Sequence, residues 1–271
     1  MSEKKGSKQG KLAVLKSRGQ NFLTDENVIA KIVAAAELSS TDTVLEIGPG
    51  DGALTRPLAE TVRRVIAVEI DRGRARQLSQ SVPDNVEIRH EDILKSRLEE
   101  FDLKDGQFVT VANLPFNVGT AVIQKLLSDS IRPQRLIVVL QAEVADRIVA
   151  RGGKESILSL SVQLYGRVQK LFAIPRQAFR PQPRVEAAVV KITVDLESKL
   201  NNEQKKAILG LIKAGFSAKR KILVRNLYEK KKIPIDKAKK ALQTLGKTPL
   251  VRAEDLRLQD WVQLREQLDL A

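Results

Sequence analysis

An amide, a proline and an aromatic ring stand side by side at Asn113-Leu114-Pro115-Phe116. The Asn113 amide oxygen, the Leu114 carbonyl ahead of a rigid proline, and the flat Phe116 face would surround one small volume. A planar base bearing an amino group could stack on the ring while its N–H groups donate to the two oxygens. A second group is Glu46-Ile47-Gly48-Pro49-Gly50-Asp51-Gly52, whose glycines let the backbone turn sharply and approach a ligand where a Cβ would collide. Two further carboxylates complete the set. Glu69 is suited to accept hydrogen bonds from both ribose hydroxyls of an adenosine cofactor, and Asp92 to reach the adenine amino group. His90, the one histidine, adjoins Asp92 but reads as the end of a strand at the surface. A general base is not needed on an alkylated aromatic amine, which is a strong acid.

These residues need a scaffold, and the apolar pattern supplies one. Runs of strand length at Thr43–Ile47, Arg64–Ile70, Val86–Arg89, Phe108–Ala112 and Arg135–Leu140 alternate with helical patterns, beginning with Asp25–Leu38. That alternation predicts an α/β fold with a doubly wound, Rossmann-like, mostly parallel sheet. Each chemical group named above falls at the end of one of its strands. The glycine turn follows the first strand, but its Gly-x-Gly-x-Gly spacing after an acid departs from the dinucleotide Gly-x-Gly-x-x-Gly and favours methyl-transfer enzymes. Beyond residue 150, a helix at Ser156–Tyr165 and strands at Val168–Ile174 and Val185–Val194 suggest an added antiparallel hairpin. Glu197–Gln204 reads as a linker, and Glu203–Phe216, Lys219–Lys232, Ile235–Leu245 and Gln259–Asp269 as helices of a small all-helical domain.

Composition narrows the chemistry. With no Cys, thiol catalysis, cysteine-based zinc sites and disulfides are excluded, which fits a reducing cytoplasm, and no metal is expected. No apolar stretch reaches the ~20 residues that span a bilayer, so no membrane partner is expected. The net charge of +14 is unevenly placed: the first eighteen residues carry +5, Lys199 to the end +10, and the middle −1. A near-neutral body between two basic appendages suits a bound polyanion. The expected organisation is a basic arm over 1–18, a catalytic domain over 19–196, and an RNA-positioning helical domain over 197–271 in a monomeric protein.

Gly19-Gln20-Asn21-Phe22-Leu23, the glycine turn, Asn113 to Phe116, Phe179-Arg180-Pro181-Gln182-Pro183-Arg184-Val185 and Phe216-Ser217-Ala218-Lys219-Arg220-Lys221-Ile222-Leu223 occur in the order seen in ribosomal RNA adenine dimethyltransferases. Over essentially its whole length the chain resembles the kasugamycin-sensitivity (KsgA/RsmA) branch of that family. The resemblance implies a class I fold that uses S-adenosyl-L-methionine. It also implies dimethylation of two adjacent adenosines in the 3′-terminal hairpin loop of small-subunit ribosomal RNA. Asn21, Leu23, Gly48, Gly50, Glu69, Asp92 and Asn113 are then expected at the cofactor. Asn113, Leu114, Pro115 and Phe116 are expected at the target base, with Phe179 closing its opposite face. Lys219, Arg220 and Lys221 are expected on RNA. Phe116 stands where Tyr is commoner, Gly119 where Ser is, Gln182 where Pro is, and Lys219 where Arg is. The alternatives are the erythromycin-resistance branch, which methylates large-subunit RNA, and a non-catalytic assembly or transcription factor on the same fold. The segment Phe216 to Asn226 and Arg252-Ala253-Glu254-Asp255-Leu256 favour the small-subunit branch.

Overall fold

A computed structural model describes residues 21–270 apart from Phe116, Gly153 and Lys154. The basic segment 1–18, Gly19 and Gln20 of the first motif, and the expected stacking residue Phe116 therefore lie outside the described residues.

Strand β1 (Phe22–Leu23) leads into helix α1 (Glu26–Ala35), and strands then alternate with helices as the apolar pattern requires. They are β2 (Thr43–Ile47), α2 (Thr55–Thr61), β3 (Arg64–Glu69), α3 (Arg72–Leu78), β4 (Val86–His90), β5 (Val109–Asn113), α4 (Gly119–Ser128), β6 (Arg135–Gln141) and α5 (Ala142–Val149). Next come α6 (Ile157–Gln163), β7 (Gly166–Ile174), β8 (Phe179–Arg180) and β9 (Ala187–Val194). The chain closes with α7 (Asn202–Gly215), α8 (Leu223–Lys231), α9 (Ile235–Thr244) and α10 (Leu258–Gln267). Asp25 caps α1, its carboxylate accepting from the N–H groups of Asn27 and Val28.

Seven strands form one sheet in the order β4-β3-β2-β5-β6-β9-β7. The strands from β2 to β6 pair in parallel, and β9 runs antiparallel to β6. Every residue of β2 is buried, as a parallel strand covered on both faces demands. From β2 the chain winds outward to β3 and β4, then returns to lay β5 against the other side of β2. The carboxyl ends of β2 and β5 flank this reversal, where a doubly wound sheet opens a crevice.

Two details depart from the apolar pattern. First, β1 and β8 form a separate two-stranded sheet, pairing Phe22 with Arg180 and Leu23 with Phe179. Strands of two residues are too short to show alternation. Second, the described residues divide into two compact units: one runs to Ala145 and adds Gln169–Leu196, the other joins Asp146–Val168 to the residues from Glu197 onward. The expected catalytic domain, 19–196, includes 146–168, which the structure places with the second unit. In the second unit α6 packs on α7, and the buried Lys205 sits 5.1 Å from the Tyr165 ring centre.

Within the second unit, Asn201 and Gln204 form a reciprocal capping box, so α7 begins inside the stretch read as a linker. The expected helix over Lys219–Lys232 begins only at Leu223. Asn226 explains why: its buried amide donates to the carbonyls of Gly215 (2.5 Å) and Ala218 (3.1 Å), holding the preceding residues in a turn. A Cβ on Gly215 would lie 2.4 Å from the Trp261 ring, so glycine is what lets α7 and the buried Trp261 of α10 approach.

Candidate active site

The reversal of the sheet brings the two sequence-distant groups together. Gly48 follows β2 directly, with its N–H on the Val68 carbonyl at 2.9 Å and its φ at +69°. A Cβ there would come within 4.0 Å of the Asn113 carbonyl at the end of β5. A cavity of about 200 Å³ opens at this point, and its walls include Asn21, Gly48, Gly50, Glu69, Asp92, Asn113, Leu114 and Pro115. Eight of the expected site residues thus converge on one crevice.

Glu69 ends β3 and is 2% exposed. Its Oε2 accepts from the Gly50 N–H (3.1 Å) and its Oε1 from the Asp71 N–H (2.9 Å), which locks the carboxylate against the glycine turn. A carboxylate has about four acceptor positions, so two remain for hydroxyl donors in the cavity. Gly50, at φ +58°, lies under the Phe22 ring, where a Cβ would meet ring carbon at 2.8 Å. The opposite support comes from Arg74, whose guanidinium stands 4.2 Å from the Phe22 ring centre and 3.4 Å from Asp51. Asp92 follows β4; its Oδ1 accepts from the Leu94 N–H, and the exposed Lys95 lies 3.7 Å from Oδ2.

Asn113 is the last residue of β5. Its amide nitrogen donates to the Asn21 carbonyl at 3.0 Å, which fixes the amide plane and leaves its oxygen as the group for a substrate donor. The Pro115 carbonyl accepts from the N–H groups of Val118 and of Gly119, the first residue of α4. The glycine at 119 has a local reason: an added Cβ would press on Leu140 at 3.1 Å.

Other expected site residues lie elsewhere. Leu23 and Phe179 face each other across β1 and β8 and are 4% and 0% exposed, both within the hydrophobic core and neither lining the cavity. Phe179 is fully buried and packs with the core, and it does not line the described cavity. Lys219, Arg220 and Lys221 sit on the exposed turn between α7 and α8, but Lys221 is bound to Glu229 at 2.8 Å. That ammonium holds the Glu229 carboxyl below its ordinary value through a hydrogen bond and its charge. His90 is exposed at the end of β4, outside the cavity.

Sequence reasoning missed the apolar walls. Ile70 is 61% exposed and lines the cavity with Ile93 and Leu94. The signal was present: each strand-end acid, Glu69 and Asp92, is followed by apolar residues, of which Ile70 and Leu94 stay exposed. A flat heterocycle would cover them.

Glu46, two residues before Gly48, is 1% exposed, and burial pushes its carboxyl up to about 8, with the charge of Glu69 adding to the effect. The Thr55 hydroxyl pulls the other way, yet neither Glu46 Oε2 nor Thr55 Oγ1 completes a hydrogen bond of normal geometry among the described residues. Because the folded value exceeds the unfolded one, stability is greatest below the ordinary carboxyl range and declines as pH rises toward 8. The protein is expected to lose roughly 3 kcal/mol between pH 5 and 8 from this residue, and Glu46→Gln to remove that part of the slope. Urea unfolding of both proteins across this range measures it; identical slopes would contradict it.

A doubly wound sheet carrying a glycine turn after one strand and a buried acid at the end of the next is the scaffold of class I S-adenosylmethionine-dependent methyltransferases. The model of one family within that class, ribosomal RNA adenine dimethylase, matches residues 13–270, and the chain belongs to this family. It is 38% identical to the ribosomal RNA small subunit methyltransferase A of Geobacillus thermodenitrificans, over 93% of this chain and 90% of that protein. Against the protein of the same name from Dehalococcoides mccartyi it is 37% identical, over 93% and 88%. Among solved structures, a dimethyladenosine transferase from Plasmodium falciparum superposes with a TM-score of 0.76 at 26% identity, covering 92% of this chain and 97% of that one. The 23S rRNA methyltransferase ErmE superposes at 0.72, also 26% identical, covering 92% and 100%.

Proposed function

We propose that this chain transfers methyl groups from S-adenosylmethionine to the exocyclic amino nitrogen of two adjacent adenosines in the 3′-terminal hairpin loop of small-subunit ribosomal RNA, during ribosome biogenesis. The observation that carries this reading is the meeting of Asn113, Leu114 and Pro115 with Glu69 and the glycine turn around one cavity. The small subunit is favoured over the large one by relatives named ribosomal RNA small subunit methyltransferase A at 37–38% identity over 93% of this chain.

The residues present fit the cofactor. Gly48 and Gly50 leave a cradle without Cβ atoms, Glu69 offers two acceptor positions to ribose hydroxyls, Asp92 accepts from the adenine amino group, and Ile70 and Ile93 cover its faces. When bound, S-adenosylmethionine supplies a methyl already activated on a sulfonium, so the chain has mainly to align an in-line displacement. Asn113 Oδ1 and the Leu114 carbonyl accept from the two N–H groups of the target amine. Those bonds favour a pyramidal nitrogen with a localised lone pair over a planar, delocalised one. After transfer the adeninium sheds its proton unaided, which is why no acid or base side chain is assigned that task. The base must come from a loop or be flipped out, and stacking, proposed for Phe116, offsets that cost at roughly 1–3 kcal/mol.

The helical residues 197–271 position the RNA, and the enzyme acts as a monomer in the cytoplasm. No helix among the described residues is long and apolar enough to cross a membrane. Lys219 and Arg220 are exposed, so replacing both with Gln is expected to weaken RNA binding and lower its salt slope by about 1 to 2 while leaving cofactor affinity unchanged. Lys221→Gln is expected to do less, because its ammonium already answers Glu229. Filter binding at several salt concentrations checks both. The functional reading itself is tested by supplying labelled S-adenosylmethionine with small and large subunits lacking these modifications: label is expected in small-subunit RNA, and label confined to the large subunit would overturn the assignment.

A further inference from the structure

Helix α8 buries Leu223, Val224, Asn226 and Leu227 and leaves a contrasting face to solvent. Arg225 and Tyr228, three residues apart on α8, share one stripe, with Lys221 on the turn before the helix and Lys232 at its C-terminal end. Between residues 219 and 232 seven basic residues stand against one acid, Glu229, and that acid is committed to Lys221. In this stripe the Tyr228 ring is 48% exposed, flanked by cations.

Lys232 is the second observation. It ends α8 in the left-handed region, φ 57°, with its N–H on the Tyr228 carbonyl at 2.9 Å. Glycine takes this position without steric penalty, and the next helix of the same unit is followed by Gly246 at φ +69°. At residue 232 the strained residue is a lysine, and its ammonium stands 5.9 Å from the Tyr228 ring centre. A left-handed residue thus holds a cation beside a ring that stays half exposed.

We infer that this face of α8 is a second RNA contact, in which an unpaired base of the ribosomal RNA substrate stacks on Tyr228 while its flanking phosphates meet Arg225 and Lys232. The inference rests on the reading of the chain as a ribosomal RNA enzyme. Charge complementarity selects a polyanion, and the half-exposed ring between cations selects one with accessible bases over a duplex, whose bases are stacked within.

The test uses the full chain with a small-subunit RNA fragment and with the intact small subunit. Tyr228→Ala is expected to bind both about tenfold more weakly at unchanged salt slope, and Tyr228→Phe to bind as the natural chain does. Lys232→Gly is expected to raise the unfolding midpoint and yet weaken RNA binding with a shallower salt slope, a pairing that a purely structural lysine would not produce. In Tyr228→Trp, the exposed indole, read apart from buried Trp261 by its red-shifted emission, should be quenched by unpaired RNA and not by duplex. Unchanged affinity in Tyr228→Ala, equal loss in Tyr228→Phe, or quenching by duplex alone would overturn the inference. So would weaker binding to the subunit with none to the naked fragment, which would assign the face to a ribosomal protein. Methylation by the natural chain is measured alongside: if it transfers no methyl to small-subunit RNA the functional reading fails, whereas normal transfer with an indifferent Tyr228→Ala sinks this inference alone.

Discussion

Asn113→Ala is expected to slow single-turnover methylation by a hundredfold or more with both substrates saturating, the scale seen when one preorganised hydrogen-bonding group is removed from a developing charge. The effect should fall on the chemical step, because the bond to Asn113 Oδ1 strengthens as the amine becomes pyramidal. The Asn113 amide also tethers Asn21 at 3.0 Å, so a slow variant could simply have lost the chain segment over the cofactor. Asn113→Asp separates the two, since it keeps an acceptor oxygen and loses the tether donor. If the acceptor is what matters, the aspartate variant retains part of the rate and the alanine variant does not. A near-normal rate in Asn113→Ala, once the protein is known to be folded and cofactor-saturated, would contradict the mechanism.

The second large effect is expected at Glu69. Loss of two charge-assisted hydrogen bonds, at ~1.5 kcal/mol or more each, corresponds to a drop in S-adenosylmethionine affinity of about a hundredfold or more in Glu69→Ala. Glu69 also accepts from the N–H groups of Gly50 and Asp71, so part of the loss would come from a loosened glycine turn. Glu69→Gln keeps the shape and one acceptor oxygen, and is expected to lie between the two. Calorimetric titration of all three proteins reads this directly; an affinity in Glu69→Ala equal to that of the natural chain would remove Glu69 from the cofactor site.

The strand ends were readable from sequence because a parallel strand buried on both faces is a short, unbroken apolar run, and the chemistry sits where each run stops. Glu69, Asp92 and Asn113 could be placed to within a residue for that reason, although Asn113 is the last residue of its strand rather than the first after it. What the apolar pattern could not convey is which way a residue faces on a strand of two. Leu23 and Phe179 belong to motifs shared with the family, yet their pairing across β1 and β8 turns both into the core. The partner of Lys221 was hidden for a related reason: Glu229 lies eight residues on, across a helix start that only the Asn226 hydrogen bonds define. Ile70 was passed over because an apolar residue at a strand end reads as core until its 61% exposure is known. Charge pointed to a polyanion as partner, but not to which lysines were already paired.

The most direct measurement is the product itself. Small subunits lacking the modification are incubated with the natural chain and S-adenosylmethionine, and the RNA is digested and mapped by mass spectrometry. Two neighbouring N6,N6-dimethyladenosines in the 3′-terminal hairpin loop are expected; modification of a large-subunit adenosine instead, a product that stops at one methyl, or no transfer by a chain that binds the cofactor would contradict the account.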